Sequence, residues 1–289
     1  MGTIKEKLAL LAKTKQAIKA AIEAQGQAVG NIPFSGYAEK IEGIRGIKLP
    51  DGVNLGNSSV REFPMKINTA GRRLFGRMFI ECKILETAPE LDTSEGTDFT
   101  SMFGLCFSLL RIPVFDTSKG IYFDSMFENC RVLAEVPALN VSNGIYFVNM
   151  FVNCYALTEI PALDTSKGHT LSYMFYRCQK LTKITSVDLA SANQVANLFK
   201  DCPCLTYALI LNMGKNPDLT SLSVGYNTAW GTGGEINRKS LVDSLITCSF
   251  NRAAAGYSPC VIYLPAPITE LLTEEEIAAL TEKGFTLTQ

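Results

Sequence analysis

Between Phe99 and Asp164 the apolar positions recur with a step of 24 residues. Met102-Phe103, Met126-Phe127 and Met150-Phe151 keep that step. So do Cys106, Cys130 and Cys154, then Leu109, Leu133 and Leu157, and Pro113, Pro137 and Pro161. Asp116, Asn140 and Asp164 close each unit. Self-similarity at a fixed period of about 20–50 residues marks a stacked repeat architecture.

Each unit has two halves. In the first, Phe99, Met102, Phe103, Cys106 and Leu109 are spaced by three, one, three and three. That spacing predicts a short helix with these side chains on one face. In the second, Leu109, Ile112 and Phe115 predict an extended run that turns at Asp116-Thr117-Ser118-Lys119-Gly120. There a carboxylate accepts from backbone N–H groups and Gly supplies positive φ. Asp164 to Gly168 repeats those letters. The expected fold class is α/β, a solenoid over residues 49–225 whose extended runs align into a parallel sheet. The recurring prolines each remove an N–H donor, so ladders of about three or four residues are expected. The pattern decays at both ends: Phe63-Pro64 is one residue out of register, Leu198-Phe199 replaces Met-Phe, and Thr185 and Leu209 replace Pro. Terminal coils of a solenoid must close the core, which accounts for the decay.

Outside the repeats the pattern changes. Thr3–Ala24 predicts a helix with a narrow seam of Ile4, Leu8, Leu11, Ile18 and Ile22, a candidate oligomer seam. Phe34, Tyr37, Ile41 and Ile44 predict a second short helix, so residues 1–48 read as a helical segment whose seam either lies on the next element or pairs with copies of itself. Residues 226–289 read as a cap. Asn237 starts a helix through Leu241, Val242, Leu245 and Ile246. Cys260 to Leu264 reads as a strand. Thr273-Glu274-Glu275-Glu276 is a capping box that opens a helix with Ile277 and Leu280, stopped at Gly284. Phe285 to Leu287 is a last strand.

Composition narrows the function. Apolar content of 47% and charged content of 19% are globular values. A net charge of −1 supplies no basic face for nucleic acid. No run of about 18 apolar residues predicts a membrane span. The lysines from Lys5 to Lys19 do not fit a signal peptide. The expectation is a chain made in the cytoplasm that stays there or leaves inside a larger particle. Six of the nine cysteines hold one repeat position, from Cys82 to Cys202, and read as small buried thiols.

No chemistry-bearing cluster stands out. His169 occupies a position held elsewhere by Thr97, Ile121 and Ile145. Gly231-Thr232-Gly233-Gly234 lacks the Lys-Ser/Thr ending of a phosphate loop. One carboxylate per Asp-Thr-Ser turn is too few for calcium. Trp230 reads as a packing residue. The expectation is a protein without catalytic residues, cofactor or metal. Binding candidates are the surface aromatics: Tyr122 and Tyr146 at one repeat position, Phe107 and Tyr155 at another, and Tyr173 and Tyr176 near the following turn.

Two stretches resemble known families. Met126-Phe127-Glu128-Asn129-Cys130, Leu133, Val136-Pro137 and Leu139-Asn140, with their copies 24 residues away, resemble BspA-type leucine-rich repeats over roughly residues 60–212. The resemblance implies a leucine-rich-repeat solenoid used as a binding surface. Thr14-Lys15-Gln16-Ala17-Ile18-Lys19-Ala20-Ala21-Ile22, followed by Pro33-Phe34, Tyr37 and Lys40-Ile41, is similar to the N-terminal segment of phage tail, baseplate or tail-fibre proteins. Leu272 to Leu287 is similar to the segment that closes such repeats in phage proteins. These resemblances imply a virion tail protein, a homotrimer attached to other tail or baseplate proteins, with a host-surface glycan or protein as its ligand. The alternative they leave is a bacterial BspA-like adhesin on the cell surface.

Overall fold

The computed structural model describes Gln16, Lys19, Asp51 and residues 54–63, 67–223, 242–247, 249–263 and 269–288. Of the first N-terminal helix only Gln16 and Lys19, both helical, are among these residues; the seam Ile4, Leu8, Leu11, Ile18 and Ile22, the second helix, Asn237 and Trp230 lie outside them.

From Leu74 onward the chain passes the same points every 24 residues. Parallel bridges join Leu74 to Asp98, Asp98 to Tyr122, Tyr122 to Tyr146, Tyr146 to Thr170 and Thr170 to Gln194. A second line of bridges joins Thr87 to Arg111 and Glu62 to Thr87, the last a step of 25, which is where the sequence register slips. Each coil therefore hydrogen-bonds to the coil before and after it.

The first half of each unit corrects the helix expectation. Among the described residues 54–223 there is no α-helix. Phe99–Met102 and Phe103–Cys106 are successive turns, closed by Met102 N–H to Phe99 C=O and by Cys106 N–H to Phe103 C=O. The third residue of each turn takes positive φ: Ser101 at 52° and Leu105 at 63°. The same two positions are left-handed in every coil, through Ser125 and Asn129, Asn149 and Asn153, Tyr173 and Arg177, and Asn197 and Asp201. Between the turns the backbone points along the stack. Phe99, Ser101, Phe103 and Leu105 donate to the carbonyls of Tyr122, Asp124, Met126 and Glu128.

These turns place the aromatic core. Phe79, Phe103, Phe127, Phe151, Phe175 and Phe199 stack with centroids 5.3 to 5.9 Å apart. Phe75, Phe99, Phe123 and Phe147 form a second column at 5.5 Å. That second column also corrects the role given to the turn glycines. Gly120 and Gly144 do not take positive φ. A Cβ on either would lie 2.2 Å from the Phe123 or Phe147 ring, so the absent side chain makes room for the column.

The six repeat cysteines are buried and free. Each thiol donates to a carbonyl one coil back: Cys82 to Leu55, Cys106 to Phe79, Cys130 to Phe103, Cys154 to Phe127, Cys178 to Phe151 and Cys202 to Phe175, at 2.9 to 3.4 Å. Burial pushes the thiols of Cys82, Cys106, Cys130, Cys154 and Cys178 up, Cys154 to about 12, so these are protonated donors at neutral pH.

In the second half, proline decides strand length. Before Pro161 the chain manages only β1, Glu159–Ile160. Where Thr185 and Leu209 take the proline position, β2 runs Lys183–Asp188 and β3 Tyr207–Leu211. The three pair in parallel in the order β1-β2-β3. Strands of six and five residues exceed the expected ladders because the N–H groups are restored.

A second parallel sheet closes the chain: β4, Ser221–Ser223; β5, Cys260–Tyr263; and β6, Phe285–Thr288. β4 falls within the span read as repeat, yet it pairs with β5 of the cap. The helix α1, Glu274–Glu282, connects β5 to β6. Its capping box is present, with Glu276 N–H donating to Thr273 Oγ1 and Thr273 N–H donating to Glu276 Oε2. Gly284 ends it at φ 86°. Of the helix read from Asn237 through Ile246, Val242 is α-helical and Asp243–Thr247 forms a π-helical turn, while Leu241, like Asn237, lies outside the described residues.

Candidate ligand-binding face

The column of Leu74, Asp98, Tyr122, Tyr146, Thr170 and Gln194 carries the bridges just described. Its neighbours in sequence, Phe99, Phe123 and Phe147, are fully buried, and strand alternation sends the column itself outward. Tyr122 is 43% exposed and Tyr146 36%. Their rings are parallel within 1°, with centroids 5.1 Å apart. One face of each ring is therefore taken by the other. What the pair offers outward is ring edges, two phenol groups, and the single face that Tyr122 and Tyr146 each retain.

The other aromatics lie elsewhere on the coil. Tyr173, at a left-handed position, meets Tyr176 edge-to-face at 5.8 Å. Arg177 lies 5.0 Å from the Tyr176 ring centroid and pairs with Asp201 at 3.4 Å. Phe107 and Tyr155 are half-buried, and Arg131 covers the Phe107 ring at 4.3 Å. The six candidates thus occupy four positions of the repeat, with ring contacts that form two pairs, Tyr122–Tyr146 and Tyr173–Tyr176. The free surface of Phe107 is reduced by Arg131.

Two carboxylates sit with the first pair and were missed as site residues. Asp98 holds the ladder position of Tyr122 one coil upstream. Asp124 follows Tyr122 by two residues and is half-buried. Burial raises its carboxyl above the usual range; the Val148 N–H opposes this and the Asp98 charge adds to it. Their signal in the sequence was the step of 24 between Asp98 and Tyr122.

The acids of the Asp-Thr-Ser turns are occupied by their own loops. Asp164 Oδ1 accepts from the N–H and the hydroxyl of Ser166 at 3.2 and 2.6 Å. The Ser118 hydroxyl, then its N–H, holds the exposed Asp116 carboxyl below the usual range. His169 is exposed; its backbone takes part in the ladder, accepting from Asn193 and Gln194. Among the described residues no group of three His, Cys, Asp or Glu side chains is placed to hold a metal ion. No described helix is long and apolar enough to cross a membrane.

The repeats match a sequence family described as "Mycoplasma protein of unknown function, DUF285", over residues 68–156 and again over 97–209. That family is associated with BspA-like repeat proteins, and the repeat region of this chain is similar to it. No curated protein matches the chain.

Proposed function

We propose that this chain is a non-enzymatic recognition protein of a phage tail, with an α/β leucine-rich-repeat-like solenoid that binds the host surface. The observation that carries this reading is the division of labour within each coil. The 24-residue step fixes the inward positions, as in Phe99, Met102, Phe103, Cys106 and Leu109, all fully buried. The outward ladder reads Leu74, Asp98, Tyr122, Tyr146, Thr170 and Gln194, a different chemistry on nearly every coil. A scaffold kept constant under a surface that varies is the arrangement of a binding solenoid. In this reading residues 1–48 attach the chain to tail or baseplate proteins as a homotrimer, and the ligand is a host-surface glycan. Immunogold labelling with an antibody to this chain tests the location, and label on virion tails is the expected result. Light scattering of the full chain tests the assembly, a threefold mass being expected.

A second reading is a BspA-like adhesin on the bacterial surface. The family match over residues 68–209 favours it, since that family is associated with BspA-like repeat proteins. Gold label on the envelope of uninfected cells, with virions unlabelled, decides for this reading.

A further inference from the structure

The exposed tyrosine pair lies beside two carboxylates that form no ion pair among the described residues. Asp98 is one coil upstream of Tyr122, on the side of the ring that Tyr146 does not cover. Both acids are held in place by backbone. Asp98 Oδ1 accepts from Thr100 N–H at 2.8 Å, and Asp124 Oδ1 accepts from Val148 N–H at 2.7 Å. Gly76 leaves room for the first of them, since a Cβ there would sit 3.1 Å from Asp98 Oδ2. The ion pairs among the described residues join Arg61 to Glu86, Lys83 to Glu81, Lys119 to Glu95 and Arg177 to Asp201, and involve neither acid. The site thus has an aromatic face that Tyr146 does not cover, carboxylates held by backbone N–H groups and, among the described residues, no ion-paired cation.

We propose that Asp98, Tyr122, Asp124 and Tyr146 form a site for a protonated amine carried on a glycan, the ammonium seated on the free face of Tyr122 and paired with Asp98. An ammonium is attracted both by the negative face of a tyrosine ring and by a carboxylate. The two phenol groups, stacked one coil apart, suit the hydroxyls of a sugar better than the apolar side chains of a peptide. Acidic glycans are rejected at the same place by like charge. This inference rests on the host-glycan reading above and names the ligand class for it.

Calorimetric titration of the full chain tests the site with three probes: a glucosamine oligomer, the same oligomer N-acetylated, and a lysine oligopeptide. The glucosamine oligomer is expected to bind about tenfold more tightly than the acetylated one. Asp98→Asn keeps the oxygen that Thr100 uses and removes the charge, and is expected to lose about tenfold for the glucosamine oligomer only. Tyr122→Leu is expected to lose a similar factor, while Tyr122→Phe keeps most of the affinity. A thermal melt accompanies each variant, and Asp98→Asn decides alone if Tyr122→Leu does not fold. Equal binding of the free and acetylated oligomers overturns the amine site and leaves the glycan reading standing. Binding of the lysine peptide alone, or of no probe, overturns the amine site and removes this support for the glycan reading. Unchanged affinity in Asp98→Asn overturns it as well.

Discussion

The two ends of the column of coils are closed in different ways. Upstream, among the described residues, Leu55 and Asn57 N–H donate to the carbonyls of Met78 and Ile80, and single side chains add to these contacts. Asp51 Oδ1 accepts from Arg73 and Leu74 N–H at 2.9 and 3.1 Å, groups whose counterparts Thr97 and Asp98 donate to the preceding coil. The guanidinium of Arg72 lies 5.4 Å from Phe75, the first ring of one column, and Phe63 meets Phe79, the first ring of the other, edge-on at 5.2 Å. Downstream, a folded unit covers the stack. Ser244 is fully buried and offers β3 what a further strand would offer: its Oγ accepts from Ile210 N–H at 3.0 Å and donates to Ala208 C=O at 3.1 Å. Arg252, also fully buried, donates to the carbonyls of Gly214, Asn216, Pro217 and Ser258. Lys283 adds contacts to the carbonyls of Ile246 and Ser249. The lesson is that, among the described residues, the upstream carboxylate of Asp51 acts on an exposed turn, whereas at the end with the longest strands a buried serine hydroxyl meets the β3 edge and a second sheet follows.

The largest expected effect strikes what both ends share. The thiols of Cys106, Cys130, Cys154 and Cys178 stay protonated in the folded chain, with Cys154 raised to about 12, while unfolded thiols ionise near 9. The folded value is the higher one, so the contribution is full below about pH 9 and is lost as pH rises toward 12. Urea midpoints across that range should fall by an amount equivalent to several kcal/mol, at about 1.4 kcal/mol per thiol and pH unit. A flat profile would mean that the thiols ionise in place.

Next comes the downstream end. Arg252→Met leaves four carbonyls without their charged donor and should cost more than about 3 kcal/mol in urea unfolding. Ser244→Ala orphans one N–H and one C=O at the β3 edge, for about 1–3 kcal/mol. The upstream end should be more tolerant. Asp51→Ala should cost about 1 kcal/mol or less, since water replaces an exposed carboxylate, with faster hydrogen exchange confined to the amides of Arg73 and Leu74. If Asp51→Ala cost as much as Arg252→Met, the contrast between the ends would be wrong. Smallest is a gain in the middle: Ser125→Asn puts at a left-handed position the residue that Asn149 already uses one coil on, and should raise stability by about 0.5 kcal/mol.

Much of this was legible in the sequence. The 24-residue step located both phenylalanine columns, the thiol line and the proline positions, because each is a repeated contact between neighbours. The turn half was misread for a physical reason. Steps of three and four bring side chains to one side of a helix, and two successive four-residue turns do the same. Only the left-handed residues tell them apart, and Leu105, Tyr173 and Arg177 are poor advertisements for positive φ. The asparagines at 129, 149, 153 and 197 were the available clue. Of the candidate site, the tyrosine pair was visible, but Asp98 was not linked to it until the bridges set one above the other. Asp51, Ser244 and Arg252 occur once each, so no periodicity announces them.

The bonds from each coil to its neighbours have a genetic consequence. Because Phe103 bonds to Met126 much as Phe127 bonds to Met150, a duplicated or deleted unit joins onto the next with the same contacts. Recombination between the near-identical Asp116–Gly120 and Asp164–Gly168 segments keeps the reading frame and returns a chain that is longer or shorter by whole rungs of about 5 Å. The column is therefore a ruler that a genome can lengthen or shorten, moving the tyrosine pair outward or inward without redesigning either end.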